Sequence, residues 1–190
     1  QLGYNTVTNT NHCFIQAGSN TERLRWLESC GVRGDNCKIG AVDPADINAF
    51  NICDYAFGTA FPRFTCDDAA HGNRRIGTVE VPVNYYEPRL NEGIYNHPER
   101  LTDYVDNAAA HGRIIQLFIH PHYLAGDHPH VAWTLAAVEL VRRHWEERGL
   151  RPLLTSTDRV VRFWHARAKA TVQAKGNIVT VSASCPVILR

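Results

Sequence analysis

The apolar run Ile114-Ile115-Gln116-Leu117-Phe118-Ile119 stops abruptly at His120-Pro121-His122. Its length and β-branched content predict a buried strand, because a strand covered on both faces need not alternate. In α/β barrels and open α/β sheets the ligand site lies beyond the carboxyl ends of the strands, so His120 falls where chemistry is expected. Helical stripes flank this run. Leu101, Tyr104, Val105 and Ala108 recur at helical spacing within residues 98–111, and Gly112 supplies a stop. Residues 129–148 give the strongest helical pattern, with Val131, Leu135, Val138, Val141 and Trp145 on one face and Gly149 at its end. Residues 151–155 then predict a short strand, and Ser156-Thr157-Asp158 caps a helix with Val160, Val161, Phe163 and Trp164 as its apolar face.

The earlier part of the chain repeats this order. Residues 4–10, rich in Tyr, Thr and Val, predict a strand. A helix follows, starting at Ser19-Asn20-Thr21-Glu22, facing inward through Leu24, Trp26 and Leu27, and ending at Cys30-Gly31. Residues 32–39 form the next predicted strand and carry Asp35 and Cys37; residues 41–71 read as a long irregular stretch of the kind that is usually functional. Residues 76–86 alternate as a strand should, with Pro82 marking an edge or an end. After residue 170 the pattern changes to two short β runs around Gly176-Asn177, which predicts a hairpin. A lone hairpin is marginal in water. The expectation is therefore an α/β portion over residues 1–168 and the opening of an all-β domain over 169–190.

Composition narrows the function classes. The 190 residues are 44% hydrophobic and 21% charged, which suits an ordinary globular chain with one sizeable core. Twenty basic against nineteen acidic residues leave a net charge of +1, and no basic run tracks a phosphate backbone, so nucleic acid is not an expected partner. No apolar stretch approaches a membrane span, and the first residues lack signal-peptide character. Export and a cytoplasmic location both remain compatible with this, and oligomeric state stays open. The absence of methionine leads to the expectation of a fragment of a longer reading frame. No pair of the six cysteines has the two-residue spacing of structural zinc sites; most are expected to be small core residues, with a Cys53–Cys66 bridge left open.

The β/α order and the residues at strand ends resemble the later part of polysaccharide deacetylases, the NodB-homology enzymes that fold as a distorted, incomplete β/α barrel. Residues 112–121, with Phe118-Ile119-His120, look like that family's late strand ending in leucine-x-histidine, phenylalanine replacing leucine. The helix that follows, together with residues 149–161, is similar to its closing helix, strand and helix, and residues 4–35 to the section that follows its metal motifs. The resemblance implies a partial, distorted α/β barrel and metal-dependent removal of acetyl groups from a carbohydrate substrate. It implies a catalytic role for His120 as the acid that protonates the departing amine or alcohol. It puts Asp35 near the carboxylate that orients this acid, and His12 near a substrate-contacting position. The family's aspartate-aspartate-glycine motif and spaced histidine pair are absent, so the ligands of a divalent metal such as zinc are not evident.

Each candidate has a plainer alternative. His120 suits proton transfer because small environmental shifts bring its pKa near working pH, yet it could simply hydrogen-bond at a strand end. His122, a possible substrate contact, and His128 and His130 follow closely and could hold a metal, but Pro121 and Pro129 favour a solvated loop. Asp67-Asp68 follows no predicted strand and reads as a solvated turn before His71-Gly72-Asn73. Trp26, Trp133, Trp145 and Trp164 lie on predicted helices, where core packing is the default. Two rivals to a deacetylase fragment stay open. One is a self-contained metal-dependent hydrolase using His120 and His122; the other is a non-catalytic carbohydrate-binding or scaffold module.

Overall fold

A computed structural model describes residues 7–10, 21–37, 61–83, 85–86, 98–127 and 129–186. Strands β1 (Thr8–Asn9), β2 (Gly34–Asp35), β3 (Arg63–Cys66) and β4 (Arg75–Glu80) form one sheet in the order β1-β2-β4-β3. The first three in that order run parallel, and β3 pairs antiparallel with β4. A second sheet joins β5 (Tyr85–Tyr86) to β6 (Leu117–Phe118) in parallel. Helices α1 (Glu22–Ser29), α2 (Pro98–His111), α3 (Pro129–Glu147) and α4 (Thr157–Ala168) complete the α/β portion. The architecture is mixed α/β, and the described strands do not close into a barrel.

Helices α1 and α4 cover opposite faces of the four-stranded sheet. Leu24 and Arg23 are the buried side chains of α1, and the Thr78 hydroxyl of β4 donates to the Leu24 carbonyl (3.4 Å). On the other face Val161 of α4 joins Val79 and Val81 in a core that Val7, Phe64, Ile114, Val160 and Trp164 border. Gly34 makes this close approach possible, since a Cβ there would lie 2.4 Å from Val161 Cγ2 and 3.0 Å from Thr8 Cγ2.

Glycines end α1, α2 and α3 where expected. Gly31 adopts φ 78°, and the Gly31 and Val32 N–H groups donate back to Glu28 and Leu27 (both 2.9 Å), which satisfies two orphan carbonyls and turns the chain into β2. Gly149 does the same for α3, with its own N–H and that of Leu150 returning to Glu146 and Trp145. Ser156 caps α4 as predicted, its hydroxyl accepting from the Arg159 N–H (3.4 Å).

Five expectations need correction. Residues 61–71, assigned to an irregular stretch, contain β3 and a 3-10 turn at Ala69–His71, so a strand does precede Asp67-Asp68. Strand β4 stops at Glu80, two residues before Pro82, and the chain resumes pairing at β5 in the other sheet. Residues 151–155 form no strand, and Leu153 is 87% exposed. On α3 the enclosed residues are His130, Thr134 and Ala137, while Leu135 is 60% exposed; α2 lies against α3 and buries its own Leu101 and Val105 there. Small residues let two helices approach, and that outweighed the larger apolar stripe. Trp26 likewise points outward from α1, half exposed.

The predicted hairpin forms as β7 (Thr171–Lys175) and β8 (Ile178–Ser182), with Gly176 at φ 60° in the first turn position. Its register places Val172, Ala174, Val179 and Val181 on one face, and Thr171, Gln173 and Thr180 on the other.

Gly34→Ala is expected to destabilise the chain by about 1–3 kcal/mol, the usual range for overpacking a core. Urea unfolding measures the loss, and adding Val161→Ala should recover part of it if the 2.4 Å approach is the cause.

Candidate functional site

The register of the parallel strands sets Asn9, Asp35 and Glu80 side by side, each the last residue of its strand. Residues paired across a sheet share a face, so these three side chains line up on the α1 side. Asp35 and Glu80 are fully buried. Arg23 reaches Asp35 with both terminal nitrogens, Nη1 to Oδ1 at 2.5 Å and Nη2 to Oδ2 at 2.6 Å. Asn9 Nδ2 donates to the same carboxylate (3.1 Å), as does the Cys37 N–H (3.3 Å). Glu80 Oε2 accepts from Arg63 Nε (2.9 Å), its partner across the β3–β4 ladder. Burial works against the charge on Arg23, but the bonds to Asp35 and attraction from Asp35, Cys37 and Glu80 prevail and hold its pKa above the ordinary arginine value.

A hydrogen-bond chain ties this end of the sheet to the second one. Asn36 Nδ2 donates to Thr157 Oγ1 (3.3 Å), and Thr157 donates to Gln116 Oε1 (3.1 Å) just before β6. His120 follows the carboxyl end of β6 by two residues and is partly exposed. The strand-end position anticipated for His120 is thus present, on a strand of two residues. Among the described residues the donors to Asp35 are Arg23, Asn9 and Cys37, not His120. His122 lies in a 3-10 turn, Pro121–Leu124, with its side chain outside the described residues; His12 and His128 lie outside them entirely. His130 faces inward on α3, stacked near Trp133 at 4.8 Å between ring centroids.

A different cluster occupies the opposite end of the sheet. Asp67, Asp68 and His71 each offer a ligand atom within 4.8 Å of the others, a possible metal-binding group. Asp67 is buried, not solvated as the sequence suggested, and Arg25 of α1 bonds its Oδ1. Asp68 caps the 3-10 turn, accepting from the His71 N–H (3.0 Å) and pairing with His71 Nδ1 (2.6 Å). The Asp67 N–H donates to Arg74, next to the first residue of β4, whereas Glu80 is its last. Six strand steps therefore separate the two clusters, about 20 Å. Residues at this end of the strands in α/β folds serve stability more often than catalysis.

The arginine partners went unnoticed in the sequence, although a signal existed. Arg23 occupies a position on the inward face of α1 beside Leu24, and Glu80 interrupts Val79 and Val81. A charge on an apolar face asks for a buried partner. No family model, no curated protein and no solved structure matches the chain.

Removing one member of a buried pair leaves the other uncompensated, so Arg23→Met should cost roughly 3–5 kcal/mol, and the double change Arg23→Met, Asp35→Leu should recover much of it. Chemical denaturation of the four species of that cycle gives the comparison; a double variant no more stable than Arg23→Met would exclude the pair as the cause.

Acid stability follows from the opposite end. The Arg74 hydrogen bond, with Gly77, holds Glu28 below its usual value against burial. His71 does the same for Asp68, and for Asp67 burial is overcome by the Asp68 N–H, Thr21 and Arg25. Carboxyls lowered in the fold contribute stability that is complete above their unfolded pKa of about 4 and is lost as pH falls through the folded values. The melting temperature should therefore drop on acidification below about pH 4, with a shallower slope in Glu28→Gln.

Proposed function

We propose that this chain is part of a carbohydrate-active hydrolase that removes acetyl groups from a polysaccharide or amino sugar, on a partial, distorted β/α barrel. The supporting observation is the gathering of Asn9, Asp35 and Glu80 with Arg23 and Arg63 at the carboxyl ends of parallel strands, with His120 just beyond the end of a second parallel pair. Ligand sites of α/β sheets lie at such ends, and buried groups that hydrogen-bond one another would hold the strand ends beneath such a site rigid. In this reading His120 protonates the departing amine or alcohol. Asp35 is a positioning carboxylate: it fixes the Arg23 guanidinium between strand ends. His12 is assigned to substrate contact through the family resemblance, and His122 through its place in the sequence beside His120.

Acetyl removal of this class uses a divalent metal, zinc or similar, and the described residues do not supply a fitting site for it. Both oxygens of Asp35 and Oε2 of Glu80 are engaged by arginines, and the Asp67, Asp68 and His71 group sits at the far end of β4 against Arg25. That same commitment of both buried carboxylates favours one alternative, a module that binds saccharide without turning it over.

Acetate release from an acetylated oligosaccharide separates the two. His120→Ala is expected to lower the rate by about 10²–10⁴, the usual contribution of general acid catalysis, with an unchanged melting temperature. Saccharide binding without acetate release by the full chain, or full activity in His120→Ala, would sink the hydrolase assignment.

A further inference from the structure

We propose that the amino-terminal end of the four-stranded sheet carries a binding surface for an acidic polysaccharide, built from Arg33, Arg75, Arg167 and Lys169 around His165. The choice of a saccharide over other polyanions rests on the carbohydrate-active function proposed above; the cationic surface itself rests on geometry alone.

These residues come from three separate parts of the chain: Arg33 and Arg75 meet His165 through short contacts, Lys169 acts on it by charge, and Arg167 lies two residues further along α4. His165 Nε2 donates to the Arg33 carbonyl (3.2 Å), and the His165 ring meets the edge of Phe64 at 5.2 Å between centroids. The Arg75 guanidinium lies over the other ring of that contact, 4.5 Å from the Phe64 centroid. Arg167 stacks over Trp164 at 5.1 Å, and Lys169 is the C-cap residue of α4. All four cations are exposed, and among the described residues none is engaged in an ion pair. Burial lowers the pKa of His165, and the surrounding charges of Arg33, Lys169 and Arg75 lower it further against the bond to the Arg33 carbonyl. That is the mark of a locally positive field.

The acidic groups nearest to it among the described residues are engaged elsewhere: Asp67 and Asp68, which follow the Cys66 partner of Arg75, bond Arg25 and His71. From Arg159 to Arg190 the chain contains no Asp or Glu, and Asp158 is already paired with Arg162 at the other end of α4. Glu28, on the α1 side, is taken by Arg74 and the Gly77 N–H. A net charge of +1 for the whole chain thus conceals a strongly uneven distribution.

The partner follows from size and chemistry. Three of the four cations are arginines, whose planar forks match carboxylates, and resting two of them on aromatic rings limits the freedom lost on binding. The cluster is compact, without the extended cationic track that a nucleic acid backbone engages. The Phe64 and Trp164 faces are already covered by guanidinium, which removes them as platforms for bases. A chain of carboxylated sugars presents a carboxylate on each residue, close enough together for a patch of this size. Because Arg75 opens β4 and Glu80 closes it, this surface would tether the polymer away from the His120 end.

Calorimetric titration of the full chain with polygalacturonate tests the proposal. Binding is expected at 50 mM NaCl and should weaken at least tenfold at 300 mM, in line with the release of counterions, while a neutral glucan gives no heat. The triple change Arg33→Gln, Arg75→Gln, Lys169→Gln should weaken polygalacturonate binding at least tenfold and leave acetate release from a neutral acetylated oligosaccharide unchanged. Should the triple variant fail to fold, Lys169→Glu at the exposed helix end carries the same test with a loss of threefold or more. Absence of binding, undiminished binding in a folded variant, or tighter binding of single-stranded DNA overturns the proposal. Polygalacturonate binding with no acetate release would overturn the hydrolase function and leave the surface standing as a polyanion site.

Discussion

Arg23 and Asp35 form the contact on which the α/β portion depends. A two-nitrogen, two-oxygen pairing fixes distance and orientation together, so it sets both the rotation of α1 and its height above β2. Asn9 bonds the same carboxylate from β1, and the Cys37 N–H closes it from the chain leaving β2. Three segments therefore converge on one buried side chain of β2. Such a pair is weak evidence for stability, because desolvating two charges offsets most of their attraction. Its effect is on specificity: a sliding or rotated α1 would leave a buried carboxylate without its guanidinium, and that cost excludes neighbouring arrangements. Leu24, also fully buried on α1, adds apolar contact but cannot select among them with the same sharpness.

The two ends of the sheet use charge differently. At the carboxyl ends, carboxylates are fully buried and each meets an arginine carried by a neighbouring element, α1 for Asp35 and β3 for Glu80. At the amino ends, Arg25 with Asp67 and Arg74 with Glu28 pin the β3–β4 turn to α1. Gly77 belongs to the same arrangement, since a Cβ there would lie 2.7 Å from the Glu28 carboxylate that its N–H binds. Around the corner, on the α4 side, cations accumulate without carboxylate partners among the described residues. Structural need explains the pairs; it does not explain four exposed cations sharing one corner.

Local signals carried much of the fold. Helix α2 has the predicted bounds, and the stops at Gly31, Gly112 and Gly149 and the Ser156 cap all depend on chemistry within a few residues, which a sequence displays directly. Features settled by distant partners were not legible. The exposed Leu153 and Leu154 had the composition of a strand but pair with no strand among the described residues, and a strand exists only with its partner. The inward face of α3 was decided by α2, which accepted Thr134 and Ala137 in place of Leu135. Asp67 looked solvated because the residue that encloses it, Arg25, lies forty-two positions earlier. At the site, the position of His120 after its strand was readable, whereas the arginine partners of Asp35 and Glu80 required the register of three strands.

The link between the sheets shows how a two-residue strand can still position a side chain. β6 alone has too few ladder bonds to fix the residues after it, yet Gln116, immediately before it, is held by Thr157, and Thr157 in turn holds Asn36 beside Asp35. Ile114 rests against the core of Val79, Val81 and Val161, which anchors the same segment on its apolar side. The stretch leading to His120 is thus located by one polar chain and one apolar contact, both ending on elements that Asp35 and Gly34 already constrain. The helix that Ser156 caps serves both purposes: its first turn carries the polar link and its middle carries Val161. Displacing α4 would move His120 and loosen β2 together, so the two strand ends are mechanically one unit even though the donors to Asp35 are Arg23, Asn9 and Cys37 rather than His120.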